Sequence, residues 1–211
     1  RLPVADAMIV RGERIAWLGS AVDLAAVPAD SFAMVDLEGG ILLPGFIDSH
    51  VHLLHWSRSL TELQLSGAKS YDEVLKRIRK YVRDNPQSRW LGGGGWQIEQ
   101  WQKPHQLHKS ALDRICNDRP LALFSKDDHS VWVNSKTLEL AGIGSGTPDP
   151  PGGVIERDGA GDATGILRET AAWQLYQIRP SLRRAEARET LKLGIAELLR
   201  LSRDRIATRT D

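Results

Sequence analysis

The segment Pro44–Leu53 constrains the fold of this chain more than any other feature. It reads Pro-Gly-Phe-Ile-Asp-Ser-His-Val-His-Leu, so an apolar run ends in two histidines spaced two residues apart. An apolar run that follows Pro-Gly is typical of a strand buried on both faces. Side chains on a strand alternate between its faces, so His50 and His52 are predicted to point to the same side. Two adjacent imidazoles would supply half of a metal site. The alternative is a pair of histidines packed or solvated at a strand end.

Composition restricts the class of protein. The chain has 211 residues, of which 41% are hydrophobic and 26% are charged, so it can form an ordinary domain or part of a larger one. A formal charge of +1 indicates neither a nucleic-acid partner nor an anionic membrane. No apolar stretch approaches the length of a membrane span, and the sequence opens without a signal-segment pattern. The single Cys116 excludes a disulfide framework and favours a reducing, cytoplasmic compartment.

Local patterns predict strands first and then alternating strands and helices. Two apolar runs in 8–19 flank a short turn with glycine and predict a β-hairpin, and 32–37 predicts a further strand. Ser70 and Glu73 form a capping box at the start of a predicted helix. Alternation of strand and helix after residue 45 predicts an α/β fold with parallel strands.

Three segments resemble one family. The 44–52 motif resembles the first barrel strand of the amidohydrolase superfamily, whose members are metal-dependent hydrolases on a TIM-like barrel. Residues 127–135 read Asp-Asp-His-Ser-Val-Trp-Val-Asn-Ser and are similar to the D-G-H-x-x-W-V-N-S segment of the amidohydrolase family 3 subgroup, which includes N-substituted formamide deformylases. Residues 153–169 are also similar to this subgroup. The resemblance covers nearly the whole chain in order.

The resemblance implies which fold the chain adopts and how much of that fold it contains. We expect an α/β fold, with a partial TIM-like (β/α) barrel at 44–211 preceded by a small β-sandwich segment at 1–43. A complete barrel takes about 250 residues, so we expect only its N-terminal half. No histidine follows His129, and 205–211 lack the strand that the family places there. We therefore expect a truncated enzyme, or alternatively a catalytically inactive fragment without the remaining metal ligands and the catalytic aspartate. A binding module that uses the barrel half as an interaction surface is a third hypothesis.

The resemblance also implies a metal centre. His50 and His52 are candidate metal ligands, and Glu169, in a G-x-L-x-E element, is a candidate bridging carboxylate. The expected cofactor is a divalent metal, zinc, with one or two ions in the intact enzyme. The alternative for Glu169 is a negative charge that stabilises the N-terminus of the following helix.

Three further residues are candidates for substrate contact. His129 follows a buried strand, and the loops after strand ends build the active site of a parallel barrel, so it is the candidate catalytic residue; the alternative is a backbone-bonded histidine. Asp128 stands where the family has a glycine, which would supply a positive φ. Asp128 and Trp96 are candidate substrate-binding residues. The glycine run 92–95 before Trp96 lacks the Lys-Ser/Thr of a phosphate loop, and it predicts a loop over the pocket or an ordinary flexible loop.

The resemblance to amidohydrolases also implies a reaction. The metal-activated water would attack a non-peptide C–N bond of the amide type in a small-molecule substrate. We expect no nucleic-acid partner, no membrane partner, and self-association through the open edge of the barrel half.

Overall fold

The structure is a computed structural model and describes residues 5–24, 26–28, 31–45, 47, 49–101 and 106–207, the last six of these by their backbone alone. It divides into two compact units. One comprises the described residues up to 45 with 206 and 207, and the other comprises those from 47 to 205. The predicted domain limits, 1–43 and 44–211, stay predictions.

The first unit is built on a hairpin. Strands β1 (Ala7–Arg11) and β2 (Arg14–Gly19) pair antiparallel, which confirms the predicted hairpin, and α1 (Ala21–Leu24) follows. The predicted strand at 32–37 is wrong, because 31–45 hold no strand and Met34 and Val35 are exposed. A strand persists only where another strand accepts its hydrogen bonds, and no described strand pairs with these residues. The second layer of a β-sandwich therefore stays a prediction.

The second unit contains a six-stranded mixed sheet in the order β3-β4-β5-β6-β8-β7. Strands β3, β4 and β5 are parallel, as predicted, whereas β6, β8 and β7 are joined antiparallel. The reversal occurs because only a tight turn links β5 to β6, and a parallel pair needs a long crossover. A closed barrel stays a prediction. The strands are β3 (Leu63–Gln64), β4 (Leu91–Trp96), β5 (Leu121–Ser125), β6 (Ser130–Val133), β7 (Gly153–Arg157) and β8 (Ala163–Glu169).

Seven α-helices and one short 3-10 helix (Ile98–Gln100) lie in the described part of the chain after residue 45. The predicted cap of α3 is confirmed, because the Ser70 hydroxyl accepts a hydrogen bond from the Glu73 backbone N–H. The Glu73 carboxylate in turn accepts from the Lys69 backbone N–H. None of the helices in the described ranges combines the length and apolar character that a membrane span requires. The helices are α2 (Leu53–Ser59), α3 (Tyr71–Asp84), α4 (Lys109–Asp113), α5 (Ser135–Leu140), α6 (Thr170–Trp173), α7 (Leu175–Ile178) and α8 (Arg184–Ala207).

The sheet is buried on both faces. Leu121 and Leu123 of β5 pack into one apolar cluster with α3 and α4, whereas the alternate residues Ala122 and Phe124 pack into another with α5 and α6. Successive side chains of a strand point to opposite faces, so each face has its own core. This explains why β5 is apolar without interruption.

The glycine run 92–95 lies inside strand β4, so the predicted loop is wrong. A methyl group on Gly93 would overlap the Leu63 backbone, and one on Gly94 would lie 2.7 Å from the Phe124 carbonyl oxygen. The neighbouring strands therefore leave no room for side chains at these positions. Trp96, at the end of β4, is 6% exposed, and its indole N–H donates to the Leu123 carbonyl oxygen at 2.7 Å.

Candidate active site

The two motif histidines lie side by side but not on a strand. The rings of His50 and His52 meet edge to face with centroids 5.2 Å apart. The predicted buried strand is wrong for the described positions, which have no regular structure, and Ile47 is 95% exposed. The physical reason is the lack of a partner strand: β3, at the edge of the sheet, pairs only with β4 among the described strands. The two imidazole rings of the motif therefore lie side by side, but the predicted buried strand does not carry them.

The turn between β5 and β6 is held by its own polar groups. Asp127 Oδ1 accepts hydrogen bonds from the Ser125 hydroxyl at 2.5 Å and from the His129 backbone N–H at 3.1 Å. The bond from Ser125 holds the pKa of Asp127 below its usual value. Asp128 has a φ of +61°, which confirms the positive φ expected from the family's glycine. This 127–129 turn presents Asp128 and His129 at the end of the buried strand β5.

His129 and Glu169 are paired both by side chains and by backbone. His129 Nδ1 lies 2.8 Å from Glu169 Oε2, and the Glu169 backbone N–H donates to the His129 carbonyl oxygen at 2.8 Å. The bond to the carboxylate raises the pKa of His129. The side chains are 56% and 46% exposed, so the pair is open to solvent and to a ligand. The predicted catalytic histidine and the predicted bridging carboxylate therefore form a dyad.

Glu169 occupies a conformation that side chains rarely adopt. It ends β8 and precedes α6 with a φ of +52° and a ψ of −126°. It makes no side-chain capping bond to α6, so its carboxylate serves His129 instead of the helix N-terminus. Non-glycine residues in such regions cost about 1–3 kcal/mol and persist where the surroundings fix them, often at functional sites.

Aromatic side chains from α6 and α7 border the turn. The Trp173 indole N–H donates to the Asp128 carbonyl oxygen at 3.4 Å, and the Trp173 ring lies 6.2 Å from that of His129. Tyr176 stacks on Phe124 with centroids 5.1 Å apart. Burial raises the pKa of Tyr176 to about 12, so its hydroxyl stays protonated at neutral pH.

His55 links the turn to the histidine motif. It lies on α2, three residues after His52, with its Nε2 3.9 Å from Asp128 Oδ2 and its ring 5.4 Å from that of Tyr176. His55, Trp173 and Tyr176 are not among the site residues predicted from the sequence. A signal for the last two exists, because they follow Glu169 by four and seven residues, the spacing of one helix face. For His55, the only signal in the sequence is its position close to the histidine motif.

The residues that the structure describes supply only some of the ligands that a metal ion needs. Among those residues, no group of three or more His, Cys, Asp or Glu side chains could hold a metal ion. His50 and His52 fit the nitrogen donors that zinc prefers, and they would supply two of about four ligands. Among the described residues, Glu169 does not form a single group of metal ligands with His50 and His52. Trp96 lies in the core, so its contact with substrate stays a prediction.

Solved structures place this fold among metal-dependent hydrolases. An uncharacterized metal-dependent hydrolase from Pyrococcus furiosus superposes with a TM-score of 0.52 and 26% sequence identity, over 92% of this chain and 38% of that one. The model of the amidohydrolase family matches residues 33–207. The chain therefore belongs to the amidohydrolase family, as the motifs predicted.

Two relatives are similar over most of this chain. The putative amidohydrolase YtcJ of Bacillus subtilis is 37% identical over 163 residues, which cover 77% of this chain and 31% of the relative. The N-substituted formamide deformylase of Arthrobacter pascens is 33% identical over 174 residues, which cover 82% of this chain and 32% of the relative. The chain thus spans about a third of the length of these relatives.

Proposed function

We propose that this chain forms part of a metal-dependent amidohydrolase that hydrolyses a non-peptide C–N bond of the amide type in a small molecule. The observation that carries the proposal is the exposed dyad formed by His129 of the 127–129 turn and Glu169 at the end of β8. The turn lies next to α2, which begins directly after the paired histidines of the motif. The similarity to an N-substituted formamide deformylase supports the choice of bond. A cytoplasmic location belongs to the same proposal, since the one cysteine suits a reducing compartment.

His50 and His52 would hold a divalent metal, which we propose to be zinc, in a TIM-like barrel completed outside the described residues. When bound, this metal would polarise the amide carbonyl and lower the pKa of a water molecule. His129 would orient the amide group and supply a proton to the departing nitrogen, as a general acid of suitable pKa does. Asp128, beside it, would accept a hydrogen bond from the substrate N–H.

A second candidate is that this polypeptide by itself has no catalytic activity. It is favoured because the described residues contain no group of three metal-binding side chains. Under this hypothesis the chain binds zinc weakly through two imidazoles and does not turn over substrate.

Metal content tests the role of the paired histidines. The purified chain is incubated with zinc, dialysed, and analysed by mass spectrometry beside a His50→Ala/His52→Ala variant. We expect zinc in the parent chain and its loss in the double variant, while His108→Ala, which changes a helix cap, keeps the parent's zinc content. A folded parent chain without zinc would contradict the metal assignment.

A chimera tests the reaction. Residues 33–207 replace the matching segment of the Arthrobacter pascens deformylase, and hydrolysis of N-substituted formamides and of related amides is followed by amine release. We expect hydrolysis that disappears when His50 and His52 are replaced by alanine. A folded, zinc-loaded chimera that cleaves no amide-type bond would contradict the proposed substrate class. Activity of the chain alone would exclude the inactive-fragment hypothesis.

A further inference from the structure

The carboxylate of Glu169 is engaged by a histidine and not by a set of metal-binding groups. Its Oε2 lies 2.8 Å from His129 Nδ1, and the described residues place no third metal-binding side chain around it. An ionised carboxylate can only accept a hydrogen bond, so Nδ1 is the donor. A carboxylate that accepts a hydrogen bond fixes the tautomer and the orientation of the imidazole that donates it.

The backbone holds this pair in register. Ser130 of β6 lies opposite Arg168 of β8, so His129 and Glu169 are the next opposed residues, and the backbone bond between them extends the ladder. Glu169 itself and Asp128, next to the pair, have positive φ although neither is glycine. Such conformations are costly and persist only where the surrounding structure imposes them. The fold therefore holds the side chains of His129 and Glu169 facing each other.

A third contact limits the motion of the ring. Trp173 lies 6.2 Å from His129 and is tied by its indole N–H to the Asp128 carbonyl oxygen. The imidazole is thus bonded on Nδ1 and has an aromatic neighbour, while the pair itself is half exposed. Its second nitrogen, Nε2, is the ring atom left for a substrate.

We infer that Glu169 is a positioning residue that holds His129 in the Nδ1–H tautomer and presents Nε2 to the amide group of the substrate, and that it is not a bridging metal ligand. The inference rests on the proposed function for the identity of the substrate, but the tautomer and the ligand assignment are independent of it. In this arrangement the neutral ring accepts a hydrogen bond through Nε2, and the protonated ring donates one there.

Nitrogen NMR of the histidine side chains tests the tautomer. The resonances of His129 are assigned by their loss in His129→Gln, and spectra are recorded at a pH where the ring is neutral. We expect the Nδ1–H tautomer to dominate in the parent chain and Glu169→Ala to shift the ring toward the Nε2–H form that free imidazole side chains prefer. An unchanged tautomer in Glu169→Ala would overturn the positioning role. Glu169→Gly, which suits the positive φ, repeats the test in a variant without backbone strain.

Zinc content of the same variants tests the ligand assignment. Glu169→Ala is expected to keep the zinc content of the parent chain, whereas His50→Ala/His52→Ala loses it. Loss of zinc in both would make Glu169 a ligand and overturn the inference. A parent chain without zinc, but with the expected tautomer shift, would contradict the proposed metal site while leaving the positioning role intact.

Discussion

At the scale of single residues, the positive φ of Glu169 is the feature with the clearest energetic consequence. Its φ of +52° and ψ of −126° lie in a region that glycine reaches without a steric penalty. The side-chain bond to His129 is half exposed, and bonds of this kind between exposed groups contribute little to stability. The backbone conformation of Glu169 therefore sets the geometry of the dyad and does not stabilise the fold.

Glu169→Gly is expected to be more stable than Glu169→Ala. Both variants lack the carboxylate, so their difference isolates the backbone strain, which costs about 1–3 kcal/mol. The extra flexibility of unfolded glycine offsets about 0.5–1 kcal/mol of this. We expect glycine to exceed alanine by about 1 kcal/mol in urea unfolding. Equal stability of the two variants would show that the strain at residue 169 only matches the glycine penalty of about 0.5–1 kcal/mol, which would contradict the larger strain expected here.

The dyad also predicts a dependence of stability on pH. Glu169 raises the pKa of His129 in the folded chain above its ordinary value of 6.5. The resulting stabilisation is fully present below this ordinary value and is lost as the pH rises through the higher folded pKa. Urea unfolding at about pH 6 and about pH 9 should therefore show a larger loss of stability in the parent chain than in His129→Gln. The same loss in both would argue against the pair.

At the scale of elements, the sequence predicted what depends on neighbours in the chain. The capping box at Ser70 and the hairpin β1–β2 are set by short-range patterns, and both form. At the described positions of the histidine motif no strand forms, because a strand depends on partners that local patterns do not supply. Strand β4 was missed because glycine disfavours strands. The glycines at 93 and 94 are explained by the close approach of the neighbouring strands, β3 at Gly93 and β5 at Gly94.

The candidate site shows the same division. The positive φ of Asp128 was predictable from the family's glycine at that position. The pairing of His129 with Glu169 was not, since it depends on the register of β6 against β8 across 40 residues of sequence. Sequence similarity identified the two residues as candidates, and the antiparallel pairing of β6 with β8 brings them into contact.

Gly93→Ala is expected to disrupt the pairing of β3 with β4. The added methyl would overlap the carbonyl oxygen and Cβ of Leu63, and backbone cannot move aside as a side chain can. Overpacking of this kind costs about 1–3 kcal/mol, to be measured by urea unfolding. Gly159→Ala is the matched control, because its methyl meets nothing within 4 Å. Equal effects of the two substitutions would contradict the close approach of the strands.

At the scale of the whole molecule, self-association stays a proposal. It was predicted through the open edge of the barrel half, and helix α8 offers an alternative surface. Edge strand β3 has two residues and offers few hydrogen bonds, and edge strand β7 carries the charged Glu156 and Arg157, which discourage pairing. Helix α8 instead exposes apolar residues that a soluble surface rarely groups together. Ile195 and Leu198 are 48% and 44% exposed on it.

We therefore expect the chain to associate in a concentration-dependent way through α8. Ile195 and Leu198 lie three residues apart and share one helix face, so a second copy can cover both and remove apolar surface from water. Sedimentation velocity should show a shift toward monomer in Ile195→Gln/Leu198→Gln at the same concentration. Glu189→Gln/Lys192→Gln is the control on the same helix, since it removes one exposed ion pair and leaves the net charge unchanged. Association that persists in the first variant would point to a sheet edge instead, and a monomeric parent chain would contradict self-association altogether.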